Sequence, residues 1–196
     1  NLLQFARPKP AVLVGVDLNA LVEEVVDLQA FHPLAKGVVF RKELAPNLPA
    51  ARTDRESLAQ VLTNLLLNAL QAMDGQGEIT VGTYQTPRGL LLTVRDTGPG
   101  IAPENLPRIF EPFFTTKKAG QGTGLGLSLV EMLLGSMGAT LAVWTHPGQG
   151  TEFLVVLPLE PASPLREGGA QRPRPENANG LATRTTGAPS APLTED

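Results

Sequence analysis

The sequence predicts an α+β two-layer sandwich, a mixed β-sheet with helices packed on one face. Two observations carry this. Apolar residues recur at helical spacing in three separated stretches. The strand-like runs between them come partly in adjacent pairs, so the strict strand–helix–strand alternation of an all-parallel fold is absent.

Taken in order, Asn1-Leu-Leu-Gln-Phe-Ala-Arg-Pro8 reads as a helix end stopped by Pro8, and Pro8 to Pro10 as a hinge. Asp17 is placed to cap a helix from Leu18 to about Leu28, with Leu18, Leu21, Val22, Val25 and Val26 facing inward. Val38 to Leu44 has strand character, with Gly37 before it and the turn-rich Ala45-Pro-Asn-Leu-Pro49 after it. Thr53 and Glu56 fit a capping box for the next helix, whose apolar face is Leu58, Val61, Leu62, Leu65, Leu66, Ala69 and Met73. Strands are expected at Ile79 to Tyr84 and Leu90 to Arg95, then a helix from Leu125 to Met137 stopped by Gly138. Two further strands, Thr140 to Thr145 and Glu152 to Leu157, flank the turn His146-Pro-Gly-Gln-Gly150.

From Pro161 to Asp196 the chain is rich in Pro, Gly, Ala, Thr and Ser and has no apolar period. Such a segment buries too little apolar surface to offset its ordering entropy, and is expected to be a disordered tail. The expected organisation is therefore 1–10 as a helix end and hinge, 11–160 as one folded domain, and 161–196 as tail.

Composition limits the function. The chain has 196 residues, 42% hydrophobic and 18% charged, which suits one good-sized globular domain. Its net charge of -3 gives no reason to expect nucleic-acid binding, which leaves a basic patch. Zero Cys residues exclude disulfides and thiolate metal sites. No apolar run approaches transmembrane length and no signal peptide is visible. The chain starts at Asn1 rather than Met and so reads as a fragment or excised region.

Three places carry chemistry. Gln60, Asn64, Asn68 and Gln71 make a polar stripe beside the apolar face of the second helix. Two amide oxygens on one face suit a hard cation that keeps some water, as magnesium does on a nucleotide. An ordinary amphipathic helix with a solvated edge is the plainer reading. Asp96 closes the strand-like Leu90 to Arg95 and opens the turn Asp96-Thr-Gly-Pro-Gly-Ile101. Its carboxylate can accept from an exocyclic amine such as that of adenine. Gly98 and Gly100 allow positive φ and close approach to a flat ring. A plain strand-ending Asp-x-Gly turn gives the same fragment. Finally, Gly120-Gln-Gly-Thr-Gly-Leu-Gly-Leu127 runs into the third helix, where free backbone N–H groups favour phosphate. No Gly-Lys-Ser/Thr follows, so this is not a Walker loop.

These segments, with Phe110-Glu-Pro-Phe-Phe-Thr-Thr-Lys117 between the last two, resemble the N, first glycine, Phe and second glycine boxes of the sensor histidine kinases. Those kinases belong to the GHKL ATP-binding superfamily, and the resemblance runs from about Val16 to Leu159. It implies a Bergerat-type ATP-binding fold. It also implies ATP and Mg2+ as ligands, with Asn64 and Asn68 in the catalytic, metal-holding position. Asp96, Gly98 and Gly100 then read the adenine, and Gly122, Thr123, Gly124, Leu125 and Gly126 surround the phosphates. Phe-Phe-Thr-Thr followed by Lys117 is similar to the nitrogen-regulation-type kinases and makes Lys117 a phosphate contact, although a surface lysine reads the same way. Phe110, Phe113 and Phe114 are expected to pack beneath the loop rather than touch ligand, and Lys118 to serve solubility. Thr151 matches a family position near the adenine, with a turn-closing Thr as the simpler alternative.

The resemblance also separates kinase from ATPase. Chaperone, gyrase and mismatch-repair relatives carry Glu four residues before the magnesium Asn, where this chain has Asn64. A neutral amide cannot act as a general base. His32 and His146 do not lie in an acceptor-like context. The phosphoacceptor histidine domain is therefore expected upstream or in trans, with a response regulator downstream and a cytoplasmic location for this domain. The first residues are similar to the end of a kinase dimerisation helix. A free-standing GHKL Ser kinase and a non-catalytic nucleotide-binding module are the competing readings.

Overall fold

The computed structural model describes residues 11–117 and 122–158, and the backbone of 181–184. Among the described residues, three α-helices and eight strands follow in the order β1 (Val14–Val16), α1 (Leu18–Ala30), β2 (Val38–Leu44), β3 (Ala51–Thr53), α2 (Arg55–Ala72), β4 (Gly77–Thr86), β5 (Gly89–Asp96), α3 (Gly126–Ser136), β6 (Thr140–His146), β7 (Gly150–Leu157) and β8 (Leu181–Arg184). Strands β2-β4-β5-β7-β6-β8 form one sheet in that order, and β1 pairs with β3 in a small antiparallel sheet. The large sheet is mixed: β2 runs parallel to β4, and every other pair is antiparallel.

Register fixes which side chains share a face. Val81, Val94, Phe153 and Val143 line up across β4, β5, β7 and β6, and all are buried. The next row toward the site is Phe40, Ile79, Asp96, Thr151 and Thr145. Because strand side chains alternate, these rows point to one face, the face that α1, α2 and α3 cover. The opposite face carries exposed Val39, Tyr84 and Trp144. The apolar stripe of α2 is fully withdrawn from water at Leu58, Val61, Leu62, Leu65, Leu66 and Leu70. α2 therefore packs between the other two helices, with its polar stripe turned to one side.

Asp17 caps α1 as expected, its carboxylate accepting from Ala20 N at 3.0 Å. The cap of α2 is Asp54, not Thr53: Asp54 Oδ1 accepts from Ser57 N at 2.8 Å. Thr53 ends β3 fully buried, its hydroxyl 3.0 Å from Met137 Sδ. Strands β1 and β3 were not expected, since three residues show no period. The expected tail also differs at one point: backbone 181–184 pairs antiparallel with β6, Leu141 opposite Arg184 and Trp144 opposite Leu181. The N-terminal helix end and hinge, Lys118, Gly120 and the remainder of the tail lie outside the described residues. Among the described residues, no helix is long and apolar enough to cross a membrane.

Candidate nucleotide site

A cavity of about 780 Å³ opens between α2, the turn after β5, the Phe114–Lys117 segment and the start of α3. Asn64, Asn68, Asp96, Gly100, Lys117, Gly122, Thr123, Gly124, Gly126 and Thr151 all line it, so residues spread over nearly ninety positions converge on one space. That size suits a nucleotide-sized ligand. Leu125 and Gly98 stand beside the cavity rather than in its lining.

One end is built by the sheet. The register row puts Asp96 between Ile79 and Thr151 on the helix-facing side, where only 4% of it is exposed. Asp96 Oδ1 accepts from Gly98 N at 2.8 Å and from Thr151 N at 3.3 Å. Both bonds go to one oxygen, so Oδ2 has no donor among the described residues. Burial pushes the Asp96 carboxyl above its ordinary value, against the two N–H donors that draw it down. An amine-bearing ligand that donates to Oδ2 would relieve this. Thr151 does more than close its turn: its hydroxyl is 3.2 Å from that of Thr145, which also accepts from Ile101 N at 2.8 Å. Thr145 thereby ties the turn after Asp96 to strand β6. It was missed in the sequence because nothing marks it except its register beside Thr151.

The two expected positive-φ glycines differ. Gly100 has φ +72°, and a Cβ there would meet His146 O at 2.2 Å, so the turn requires glycine. Gly98 has no positive φ. Its constraint is space, since a Cβ would stand 2.8 Å from Asp96 Oδ1.

The other end is built by α2 and α3. Asn64 Nδ2 donates to Gln60 O at 2.8 Å, which leaves Asn64 Oδ1 for the cavity. Asn68 Nδ2 is buried and has no hydrogen-bond partner among the described residues. A buried, unpaired amide is costly unless a ligand joins it. The first turn of α3 stands against this pair: a Cβ on Gly126 would lie 3.5 Å from Asn64 Oδ1 and 3.7 Å from Asn68. Leu125 occupies the N-cap position of α3 and offers no side-chain cap, so the first N–H groups stay available for a ligand. Gly124, at φ +66°, lets Phe113 N donate to its carbonyl at 2.9 Å and clamps the Phe segment to the glycine loop.

The aromatics divide. Phe110 is buried, as a packing residue should be, whereas Phe114, partly buried with Arg108 over its ring at 4.4 Å, also lines the cavity. Phe113 departs from that expectation. It is 65% exposed, because its own φ of +67° turns it outward.

The donor set fits Mg2+ carried in on phosphates. Among the described residues no cluster of three or more His, Cys, Asp or Glu could hold a metal. Two amide oxygens alone complete no coordination sphere, so the remaining ligands would have to be phosphate oxygens and water.

Residues 53–161 match the family model of the histidine kinase-, DNA gyrase B- and HSP90-like ATPases, and the chain belongs to that family. Within it, the similarity runs to sensor histidine kinases. The signal transduction histidine-protein kinase AtoS of Escherichia coli (strain K12) is 39% identical over 82% of this chain and 26% of its own length. Full-length ShkA, solved in complex with AMPPNP, superposes with a TM-score of 0.73 at 33% identity over 84% of this chain and 36% of its own. The catalytic domain of histidine kinase ThkA, solved nucleotide-free, gives 0.67 at 30% identity over 76% of this chain and 97% of that domain. The chain thus spans about a quarter of AtoS and little more than a third of ShkA.

Proposed function

We propose that this chain binds Mg-ATP and transfers its γ-phosphoryl group to a histidine on a dimerisation and phosphoacceptor domain, supplied by a longer parent protein or in trans, within a two-component pathway that continues to a response regulator. The observation that carries this reading is the polarity of the cavity. A buried carboxylate with one free oxygen closes one end, and an amide pair, a lysine and uncapped helical N–H groups form the other.

Asp96 accepts from the adenine amine, with Thr151 and Gly98 holding the carboxylate still. Asn68, with Asn64 beside it, would hold the metal through side-chain amide oxygens. Bound Mg2+ neutralises charge on the phosphates. Lys117 and the backbone of Gly122 to Gly126 hold the phosphate oxygens. Phosphoryl transfer asks the protein for positioning and electrostatics more than covalent chemistry. Asn64 offers no base to activate water, so the γ-phosphate waits for the histidine rather than being hydrolysed.

The test is incubation of this chain with γ-labelled ATP, with and without a dimerisation and phosphoacceptor domain. The expected result is acid-labile, base-stable label on the acceptor histidine and none on this chain. Acid-stable label on this chain, or brisk phosphate release without an acceptor, would overturn the proposal.

A further inference from the structure

We propose that Gln71 is a positioning residue for Lys117: its side-chain carbonyl holds the lysine ammonium at the phosphate end of the cavity, one step along α2 from Asn68. This rests on the Mg-ATP reading above and gives Gln71, so far only a member of the polar stripe of α2, a defined part in the site.

The geometry brings four constraints together. Lys117 Nζ donates to Gln71 Oε1, across forty-six residues of sequence. Gln71 follows Asn68 by three positions on α2, so the two side chains are neighbours on one helical face. At the base of the lysine, Lys117 N donates to Thr115 Oγ1 at 3.2 Å. Along its stem, a Cβ on Gly122 would come within 3.1 Å of Lys117 Cδ, so the glycine leaves room for the stem to lie against the loop backbone. A lysine is a point charge on a flexible four-carbon stem. Here base, stem and tip are each held.

The charge of the holding group decides what the arrangement does. No carboxylate pairs with Lys117 among the described residues, and the one acidic residue lining the cavity is Asp96, at the adenine end. Gln71 is neutral. It fixes the ammonium without cancelling its charge and uses one of its three donors, so two remain for phosphate oxygens. Partial burial pushes the Lys117 ammonium below the ordinary lysine value. An anion arriving beside it recovers what burial removed. A carboxylate at position 71 would instead compete with the phosphate for the same ammonium.

Gln71 is exposed on α2, so its replacement leaves the core intact. The experiment is calorimetric titration of the 196-residue chain with Mg-ATP and, separately, with AMP. The variants are Gln71→Ala, Gln71→Glu, Lys117→Met and the double variant Gln71→Ala/Lys117→Met. Expected is a three- to tenfold loss of Mg-ATP affinity in Gln71→Ala with AMP affinity unchanged, and little further loss when it is added to Lys117→Met. Gln71→Glu should weaken Mg-ATP at least as much, and should raise the Lys117 titration midpoint followed by NMR of labelled lysine Cε. A general structural role would move ATP and AMP together. Equal losses for both nucleotides, or full additivity with Lys117→Met, would overturn the positioning role alone. Failure of the unaltered chain to bind Mg-ATP would overturn it together with the reading on which it rests.

Discussion

Asp96 is the one acidic position in a row of the sheet's buried face, and its carboxyl lies above the ordinary value because burial penalises its charge. The folded chain holds this proton more tightly than the unfolded chain does. Asp96 therefore favours folding below the ordinary carboxylate pKa, and that advantage is lost as pH rises through the raised folded value. Asp96→Asn keeps an oxygen for Gly98 N and Thr151 N but removes the charge. Thermal melts across the carboxylate range up to neutrality should show the variant at least as stable as the parent at neutral pH. Its Mg-ATP affinity, by calorimetry, should fall tenfold or more, since a hydrogen bond to a charged group contributes about 1.5–3 kcal/mol. Unchanged affinity in a folded variant would remove Asp96 from the adenine end. Among the described residues, nothing accepts a hydrogen bond from the buried Nδ2 of Asn68. Asn68→Ala should therefore change stability by no more than about 1 kcal/mol while Mg-ATP binding weakens sharply. A large loss of stability would mean that the side chain serves the fold rather than the ligand.

At the scale of elements, capping shows what was legible and what was not. Asp17 stands alone before α1, and the sequence identifies it as the cap. Before α2, Thr53 and Asp54 are both residue types that cap, and sequence does not rank neighbours. Tertiary packing decides: Thr53 belongs to β3 and is buried against Met137, so the next residue turns to the helix. Asp54 also accepts from Val12 N at 2.9 Å, tying the entry of the domain to α2. Burial alone would raise the Asp54 carboxyl, but the N–H donors of Ser57, Val12 and Glu56 together hold it below the ordinary value. This cap therefore contributes above the unfolded carboxylate pKa and is lost as pH falls through the depressed folded value. Asp54→Ala should cost about 1 kcal/mol at neutral pH, read from urea midpoints, and that cost should fade in acid. Thr53→Ala should not reproduce this pH dependence. The glycines follow the same logic. Motif spacing marked both Gly98 and Gly100, but positive φ occurs only at Gly100, while Gly98 is kept small by the neighbouring carboxylate.

Over the whole molecule, the long elements were legible because each carries its own period, and the site because its residues are clustered in three short segments. Pairings between distant segments were not. Thr145 enters the site only through register with Thr151, Gln71 was marked on the polar stripe but not as the partner of Lys117, and β8 forms only because β6 has an outer edge. The position of β8 permits a last test. Asp96 and Thr151 sit on β5 and β7, inside the sheet, whereas β8 touches only β6. Ending the chain after Pro158 removes β8 and leaves the outer edge of β6 without partners. Backbone groups there would turn to water, so amide exchange between Leu141 and Trp144 should accelerate. Mg-ATP affinity should stay within about twofold, because no lining residue of the cavity lies beyond Phe153. Exchange in β4 and β5 should not change. If the β6 amides exchange at the same rate in the shortened chain, β8 does not hold that edge in solution. If nucleotide affinity falls with the truncation, the link from β6 through Thr145 to Ile101 transmits strain from the sheet edge to the turn after Asp96.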